Sequence, residues 1–396
     1  MLEVAAALET VLRFARPLVA QSTALGPGAL GRIVAEDLAA DIDSPPFTKA
    51  LMDGYALRTA DLVAGQGKLK IVGELPAGKT PTKPVGVGEA IRIFTGAVMP
   101  EGADAVVMQE RCERTDNTVT INDNGLAAGK NVLPRGAEMA AGEIVVPAGS
   151  RITPALIGLL AGMGRTEVKL YPWPRVRVLA TGSELVDAKQ TPVAGQIRNT
   201  NGPMLLAQAA RVGALVADFG IGPDDEPALR DLIRDALDAS DVLLLAGGVS
   251  VGDYDLVPKV LASLGVEVRF HKVRMKPGKP LLFGTLGNKL VFGLPGNPGS
   301  AFIGFELFVA SAIRAMLGYA DPGPRYRTLA LTDGLKANHD RPTYHPAIVG
   351  DNGVRPQPWV GSADLRSLAR VNAFVVLPAG PVEYAAEAMV NTLIVE

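Results

Sequence analysis

The stretch Val242-Leu-Leu-Leu-Ala-Gly-Gly-Val-Ser-Val-Gly-Asp253 decides the fold. Its opening apolar run, closed by a glycine pair and a hydroxyl, reads as a strand buried on both faces that enters a tight turn. Unbroken apolar runs of this length belong to parallel sheets. Working outward, similar runs alternate with helical patterns. Strands are expected over 176–180, 215–219, 242–246, 266–268, 281–283 and 290–294, and helices over 203–212, 226–239, 256–264 and 300–317. The alternation predicts a doubly wound, mostly parallel α/β domain over 173–322, with helices on both faces.

The flanks read differently. Residues 2–16 carry apolar positions at helical spacing and stop at Pro17; 29–38 read as a second helix, and 151–164 as a third with Pro154 in its first turn. Between 43 and 135, short runs at 69–73, 90–94, 105–109 and 118–122 are separated by Gly, Pro, Asn and Asp, which predicts a β-rich domain. After Asp321-Pro-Gly-Pro324 short strands return, ending in 374–377 and 392–395, as a small C-terminal β domain.

Composition bounds the function. A chain of 396 residues exceeds one ordinary domain. Lys plus Arg at 39 against Asp plus Glu at 41 excludes capture of nucleic acid or acidic lipid by bulk charge. Hydrophobic content of 48% excludes global disorder. The single cysteine, Cys112, forms no intramolecular disulfide, and three histidines make no structural zinc set. No basic segment precedes the first apolar stretch, so no signal peptide is expected, and the run around 242–251 is short of the roughly 20 residues that span a bilayer. The expectation is a soluble, cytoplasmic chain with no nucleic-acid or membrane partner.

Open α/β sheets bind ligands at the carboxyl ends of their strands. Three loops stand there: Thr181-Gly-Ser-Glu184, Gly247-Gly-Val-Ser-Val-Gly-Asp253 and Pro295-Gly-Asn-Pro298. Each joins a glycine turn to a hydroxyl or amide, and the freed N–H groups suit a phosphate or another oxyanion. Any one loop is explained as well by helix capping; three at one sheet edge favour an anion site. Two motifs fail. The GxGxxG match at 26–31 follows no strand, and 248–252 lacks the lysine of a P-loop. Between Arg269 and Lys279 there are five basic residues and no acid. If 268–276 is extended, Lys272, Arg274 and Lys276 share one face, with Val273 and Met275 on the other. With Lys279 they would hold phosphates or a metal oxyanion, the alternative being a solvated edge strand. The acids Glu184, Asp224, Asp225, Asp253 and Asp255 follow strands and suggest Mg²⁺ beside phosphate, although Asp224-Asp225 suits a helix cap equally. His271, His339 and His345 show no ligand spacing and read as surface or capping residues, and Cys112 has no base beside it to make it a nucleophile.

Taken together, several stretches resemble the molybdopterin molybdenumtransferase family, MoeA and the gephyrin E-domain, over essentially the whole chain. They are Ala29-Leu-Gly-Arg-Ile-Val-Ala-Glu-Asp37, Met52-Asp-Gly-Tyr-Ala56, Arg92-Ile-Phe-Thr-Gly-Ala97, Pro100-Glu-Gly-Ala-Asp-Ala-Val-Val107, Thr181-Gly-Ser-Glu-Leu185, Gly195-Gln-Ile-Arg-Asn-Thr-Asn201, the 247–253 loop, Lys276-Pro-Gly-Lys-Pro280 and Gly293-Leu-Pro-Gly-Asn-Pro298. The resemblance implies a multidomain α/β protein. Residues 1–42 and 136–172 would form an elongated helical domain with 43–135 inserted as a β-rich domain, 173–322 the molybdopterin-binding α/β domain, and 323–396 a small β-barrel-like domain. It also implies a homodimer whose cleft is shared between subunits.

The implied reaction places molybdenum from molybdate on adenylylated molybdopterin and releases AMP, with Mg²⁺ assisting. Asp53, Thr95, Glu184, Lys272 and Lys276 match catalytic positions; Asp255 and either Asp224 or Asp225 match metal positions. Substrate would meet Gly247, Gly248, Ser250, Lys279, Pro295, Gly296, Asn297 and either Ser362 or Ser367. Partners implied are the adenylyltransferase and client molybdoenzymes. Lys49-Ala-Leu51 and His345 depart from the family pattern, which leaves housekeeping enzyme and specialised paralogue both open. The rival readings are a molybdopterin adenylyltransferase, which lacks the β-rich insert, and a non-catalytic cofactor carrier.

Overall fold

Val242–Ala246 is a strand with all five residues buried, as coverage on both faces requires. The computed structural model describes residues 1–223, 225–248 and 256–395. The strand belongs to a six-stranded sheet made of β1 (Arg175–Thr181), β2 (Leu215–Gly222), β3 (Val242–Ala246), β4 (Glu267–Phe270), β5 (Leu282–Leu286) and β6 (Lys289–Leu294), in the order β2-β1-β3-β6-β5-β4. The first four run parallel, and β5 and β4 add an antiparallel edge. Chain order reverses between β1 and β3, which is where open sheets of this kind hold ligands.

The helices are α1 (Val4–Phe14), α2 (Pro154–Gly162), α3 (Asn201–Arg211), α4 (Glu226–Asp238), α5 (Leu256–Ser263), α6 (Pro298–Gly304) and α7 (Ala310–Met316), the last two joined through a π-helical turn at Phe305–Val309. Side chains alternate across the sheet. Val176, Val178, Leu244, Phe283 and Phe292 pack with α1, α3 and the α6–α7 helix; Leu179, Leu243, Leu245, Leu282 and Val291 pack with α4 and α5. The segment Pro298–Met316 is long and apolar enough to cross a membrane, and 89% of it is buried inside the protein as core.

By contacts the chain forms two units, one of residues 1–35, 151–153 and 167–396, the other of 36–150 and 154–166. Helix α1 belongs to the first, because Ala7 and Val11, four apart on one face, are buried against the α/β core. The same unit carries the C-terminal β domain, a five-stranded antiparallel sheet in the order Tyr326–Ala330, Met389–Ile394, Ala373–Leu377, Thr343–Gly350, Gly353–Pro356, beside the pair Leu335–His339 and Gly380–Tyr384. The second unit is built on a six-stranded sheet in the order Ala105–Met108, Gly54–Leu57, Glu89–Ile93, Gln66–Leu75, Thr118–Asn122, Cys112–Thr115. Its strands bury alternate residues on two faces, Tyr55 and Leu57 on one and Ala56 on the other.

Two expectations are corrected. Residues 29–38 are not a helix. A single 3₁₀ turn, Pro27–Ala29, precedes them, and Ile33 and Val34, fully buried, bridge to Arg151 and Leu170. A β-branched pair fits that pleated pairing better than a helix. The extended stretch expected over 268–276 stops with β4 at Phe270, although the alternation survives: Val273 and Met275 are fully buried while Lys272, Arg274 and Lys276 are half-buried.

Candidate functional site

Strands β1 and β3 end side by side. The turns that follow them, with the Pro295-Gly-Asn297 turn after β6 and the segment from Gln196 to Asn201, wall a cavity of about 900 Å³. The turn chemistry is set by close approach. Gly247 has φ +94°, and a Cβ there would lie 2.3 Å from the Thr181 carbonyl oxygen, so no larger residue lets the two strand ends meet. Two wall atoms are buried without a partner among the described residues, Thr181 Oγ1 and Asn201 Oδ1, while Asn201 Nδ2 donates to the Gly296 carbonyl at 2.8 Å. An unpaired buried polar atom costs about 1–3 kcal/mol. Glu184 lies exposed at the cavity rim.

Pro280, Pro295 and Asn297 are shared with a second pocket of about 480 Å³, lined by Lys276, Lys279, His339, Arg341, Trp359 and Ser362 among others. Lys276 is fixed by its backbone: its N–H donates to the Pro342 carbonyl and its carbonyl accepts from the Tyr344 N–H, both at 2.8 Å. Its ammonium donates to His339 Nδ1 at 3.0 Å. Asn297 Nδ2 donates to Ser362 Oγ at 2.9 Å, and the buried Trp359 indole N–H has no partner among the described residues. The described lining carries three permanent cations and no carboxylate, which is the chemistry of an anion site.

The structure sorts the expected residues. Gly247, Gly248, Pro295, Gly296, Asn297 and Glu184 line the larger cavity; Lys276, Lys279 and Ser362 line the smaller. Ser367, the alternative to Ser362, lies in the short helix Leu365–Leu368, its hydroxyl donating at 2.6 Å to Asp364, which caps that helix. Lys272 lines neither cavity. Arg274 pairs with Glu3 at 3.2 Å, and Arg269 stacks over Phe14 at 4.3 Å, so the expected convergence of the basic stretch narrows to Lys276 and Lys279. Asp225 caps α4, accepting the Ala228 N–H at 3.0 Å. Asp224, Ser250, Asp253 and Asp255 lie outside the described residues. Among the described residues no group of three or more His, Cys, Asp or Glu could hold a metal ion.

In the second unit, Thr95 donates both its N–H (2.8 Å) and its hydroxyl (2.7 Å) to Asp53 Oδ1. The backbone donor, then the hydroxyl and nearby Arg92, hold the Asp53 carboxyl below the usual carboxylate range. Asp53 is placed by Gly54, whose missing side chain admits the Val107 carbonyl; a Cβ would lie 1.8 Å from that oxygen. Cys112 donates to the Met108 carbonyl, and burial pushes its thiol up to about 12, which removes it as a nucleophile at neutral pH.

Sequence reasoning missed His339, Arg341 and Trp359. They enter the pocket from the C-terminal β domain, about sixty residues beyond the lysines, and no local pattern marks them. Thr181 and Asn201 stood inside motifs already singled out, and only their lost hydrogen bonds distinguish them.

Comparison with known proteins agrees with this architecture. Residues 2–164 match the MoeA N-terminal region (domain I and II), 177–315 a probable molybdopterin binding domain, and 328–393 the MoeA C-terminal region (domain IV). A molybdopterin molybdenumtransferase of Staphylococcus aureus is 36% identical over 376 residues, covering 93% of this chain and 90% of its own length; one of Staphylococcus epidermidis is 34% identical over the same span. The crystal structure of a molybdopterin biosynthesis MoeA protein from Pyrococcus horikoshii has a TM-score of 0.85 at 31% identity, covering 100% of this chain and 99% of that one. Identity at this level across nearly the full length of both partners places the chain in the molybdopterin molybdenumtransferase family.

Proposed function

We propose that the chain takes molybdate and adenylylated molybdopterin, places molybdenum on the pterin dithiolene and releases AMP. The observation that carries this reading is a pair of cavities sharing Pro280, Pro295 and Asn297 in their walls, one formed by glycine turns and the other by Lys276, Lys279 and Arg341. The larger is assigned to the pterin and its nucleotide, with Gly247, Gly248, Pro295, Gly296 and Asn297 supplying backbone and amide contacts. The smaller is assigned to the oxyanion, held by Lys276 and Lys279 with Ser362 set against it through Asn297. Walls shared by Pro295 and Asn297 bring the two substrates within reach of each other, so much of the rate is gained by holding them together.

Mg²⁺ is part of the proposed reaction, where it would neutralise charge on the phosphate being cleaved. Among the described acids Glu184 alone remains for it, since Asp225 is used as a cap; one carboxylate is not a metal site, and no step is drawn through the ion. We further propose a cytoplasmic homodimer in which Asp53 and Thr95 serve the cleft of the partner subunit. The deciding experiment is AMP release from purified protein given adenylylated molybdopterin, Mg²⁺ and molybdate, against the same mixture lacking molybdate. Molybdate-dependent AMP release with active cofactor formed is expected. Tight pterin binding without AMP release would replace the transferase by a carrier.

A further inference from the structure

The pocket assigned to the oxyanion holds an arrangement that the reading above does not use. The Lys276 ammonium has only hydrogens to offer, so His339 Nδ1, 3.0 Å away, must present a lone pair, and the imidazole is the neutral tautomer with its proton on Nε2. Lys276, held at its backbone by the Pro342 carbonyl and the Tyr344 N–H, therefore has its charged end held by a group that loses its acceptor on protonation.

We propose that His339 is a proton-responsive positioning residue: neutral, it holds Lys276 against the pocket wall; protonated, it releases Lys276 and adds a second donor, so that a divalent tetrahedral oxyanion binds together with a proton. The inference rests on the oxyanion assignment of this pocket. The groups facing His339 favour a neutral imidazole until an anion arrives. Lys276 stands on the loop after β4; Asp340, next in sequence, is ion-paired with Arg341 at 3.1 Å; Lys279 and Arg341 complete the pocket; and His345, on the strand that follows in sequence, is tied to the Gln357 carbonyl. Desolvation and then Lys276 hold the imidazole below its ordinary value, and Asp340 only partly offsets them. Two negative charges placed among these cations would reverse the balance. By linkage, protonation of His339 and oxyanion binding then strengthen each other by the same factor.

The sign follows. Between the His339 pKa of the empty pocket and its higher value in the loaded one, affinity falls as pH rises, by up to about tenfold per pH unit for one proton taken up. The test is calorimetric titration with molybdate alone, from about pH 5 to about pH 8, a range that opens below the ordinary histidine value because the empty pocket holds His339 under it, in two buffers of different ionisation enthalpy. Close to one proton taken up in wild type is expected in the coupled window, with a pH-flat affinity in His339→Asn, whose amide oxygen still accepts from Lys276 without titrating. The His339 ring signals, followed by NMR in wild type with and without molybdate, give the same answer with no variant and should move to higher pKa on binding. No proton uptake and an unmoved ring pKa would overturn the proposal. Lys279→Gln separates the two readings. A tenfold or greater loss of molybdate affinity keeps the oxyanion pocket even when proton coupling fails, whereas unchanged affinity removes the pocket and the coupling together.

Discussion

Asp53 and Asp225 are both exposed acids that accept a backbone N–H, and their surroundings give them different work. Asp53 receives two donors from Thr95 on one oxygen, leaving Oδ2 without a partner among the described residues, whereas Asp225 closes the first turn of α4. Thr95→Val removes the hydroxyl donor that helps keep Asp53 ionised. The Asp53 pKa should rise toward its ordinary value, so the acid limb of kcat/KM against pH moves upward; an unmoved limb would take Asp53 out of the reaction. Asp225→Ala should cost about 1 kcal/mol in a denaturant titration, as lost caps do, with Mg²⁺ dependence unchanged. A raised Mg²⁺ requirement would return Asp225 to the metal. At this scale the face taken by Lys276 was legible in the alternation with Val273 and Met275, which are buried, whereas Lys272 shares that pattern and lines neither cavity. His339 and Arg341 were not, since what makes them functional is a β domain folding back onto the loop.

The elements that hold the site are those whose reading depends least on tertiary context. A run such as Val242–Ala246, buried on both faces, can only be a central strand of a covered sheet, and the turn after it inherits its position. Gly247→Ala tests that inheritance. A side chain at φ +94°, pressed on the Thr181 carbonyl, should destabilise the protein by about 1–3 kcal/mol and lower pterin affinity, measured by thermal melting and by ligand titration. Residues 29–38 were misread because their apolar spacing suits a helix in isolation; only pairing with Arg151 and Leu170 makes them extended. The π turn inside the Pro298–Met316 helix was invisible for a related reason. It places Glu306, 6% exposed, on Gln208 at 2.6 Å and on Arg211, a polar knot whose partners lie about a hundred residues away. Glu306→Ala should lose about 2–3 kcal/mol, at or below the usual range for a broken buried pair because Arg211 still reaches water, and Glu306→Gln should recover part of it.

Over the whole molecule, division into covered sheets follows from where apolar residues are continuous, where they alternate and where Pro and Gly interrupt them. Nothing of that kind tells how subunits associate, and here the surface of the second unit is more informative than the sequence. Helix α2 is apolar along its length, yet Leu160 is its single buried residue, and Leu159 is 36% exposed. A helix apolar all round normally lies in a core or an interface. The homodimer reading predicts that the partner subunit covers this face. Leu159→Glu would place a carboxylate in that contact without disturbing Leu160, so the unit should fold as before while sedimentation shows the dimer weakened at least tenfold, about 1.4 kcal/mol. Because Asp53 and Thr95 are assigned to the partner's cleft, AMP release should then fall with protein dilution more steeply than in wild type, while molybdate affinity, set within one subunit by Lys276, Lys279 and Arg341, stays the same. A variant that remains dimeric at low concentration removes α2 from the interface. One that becomes monomeric and keeps full turnover removes the shared cleft.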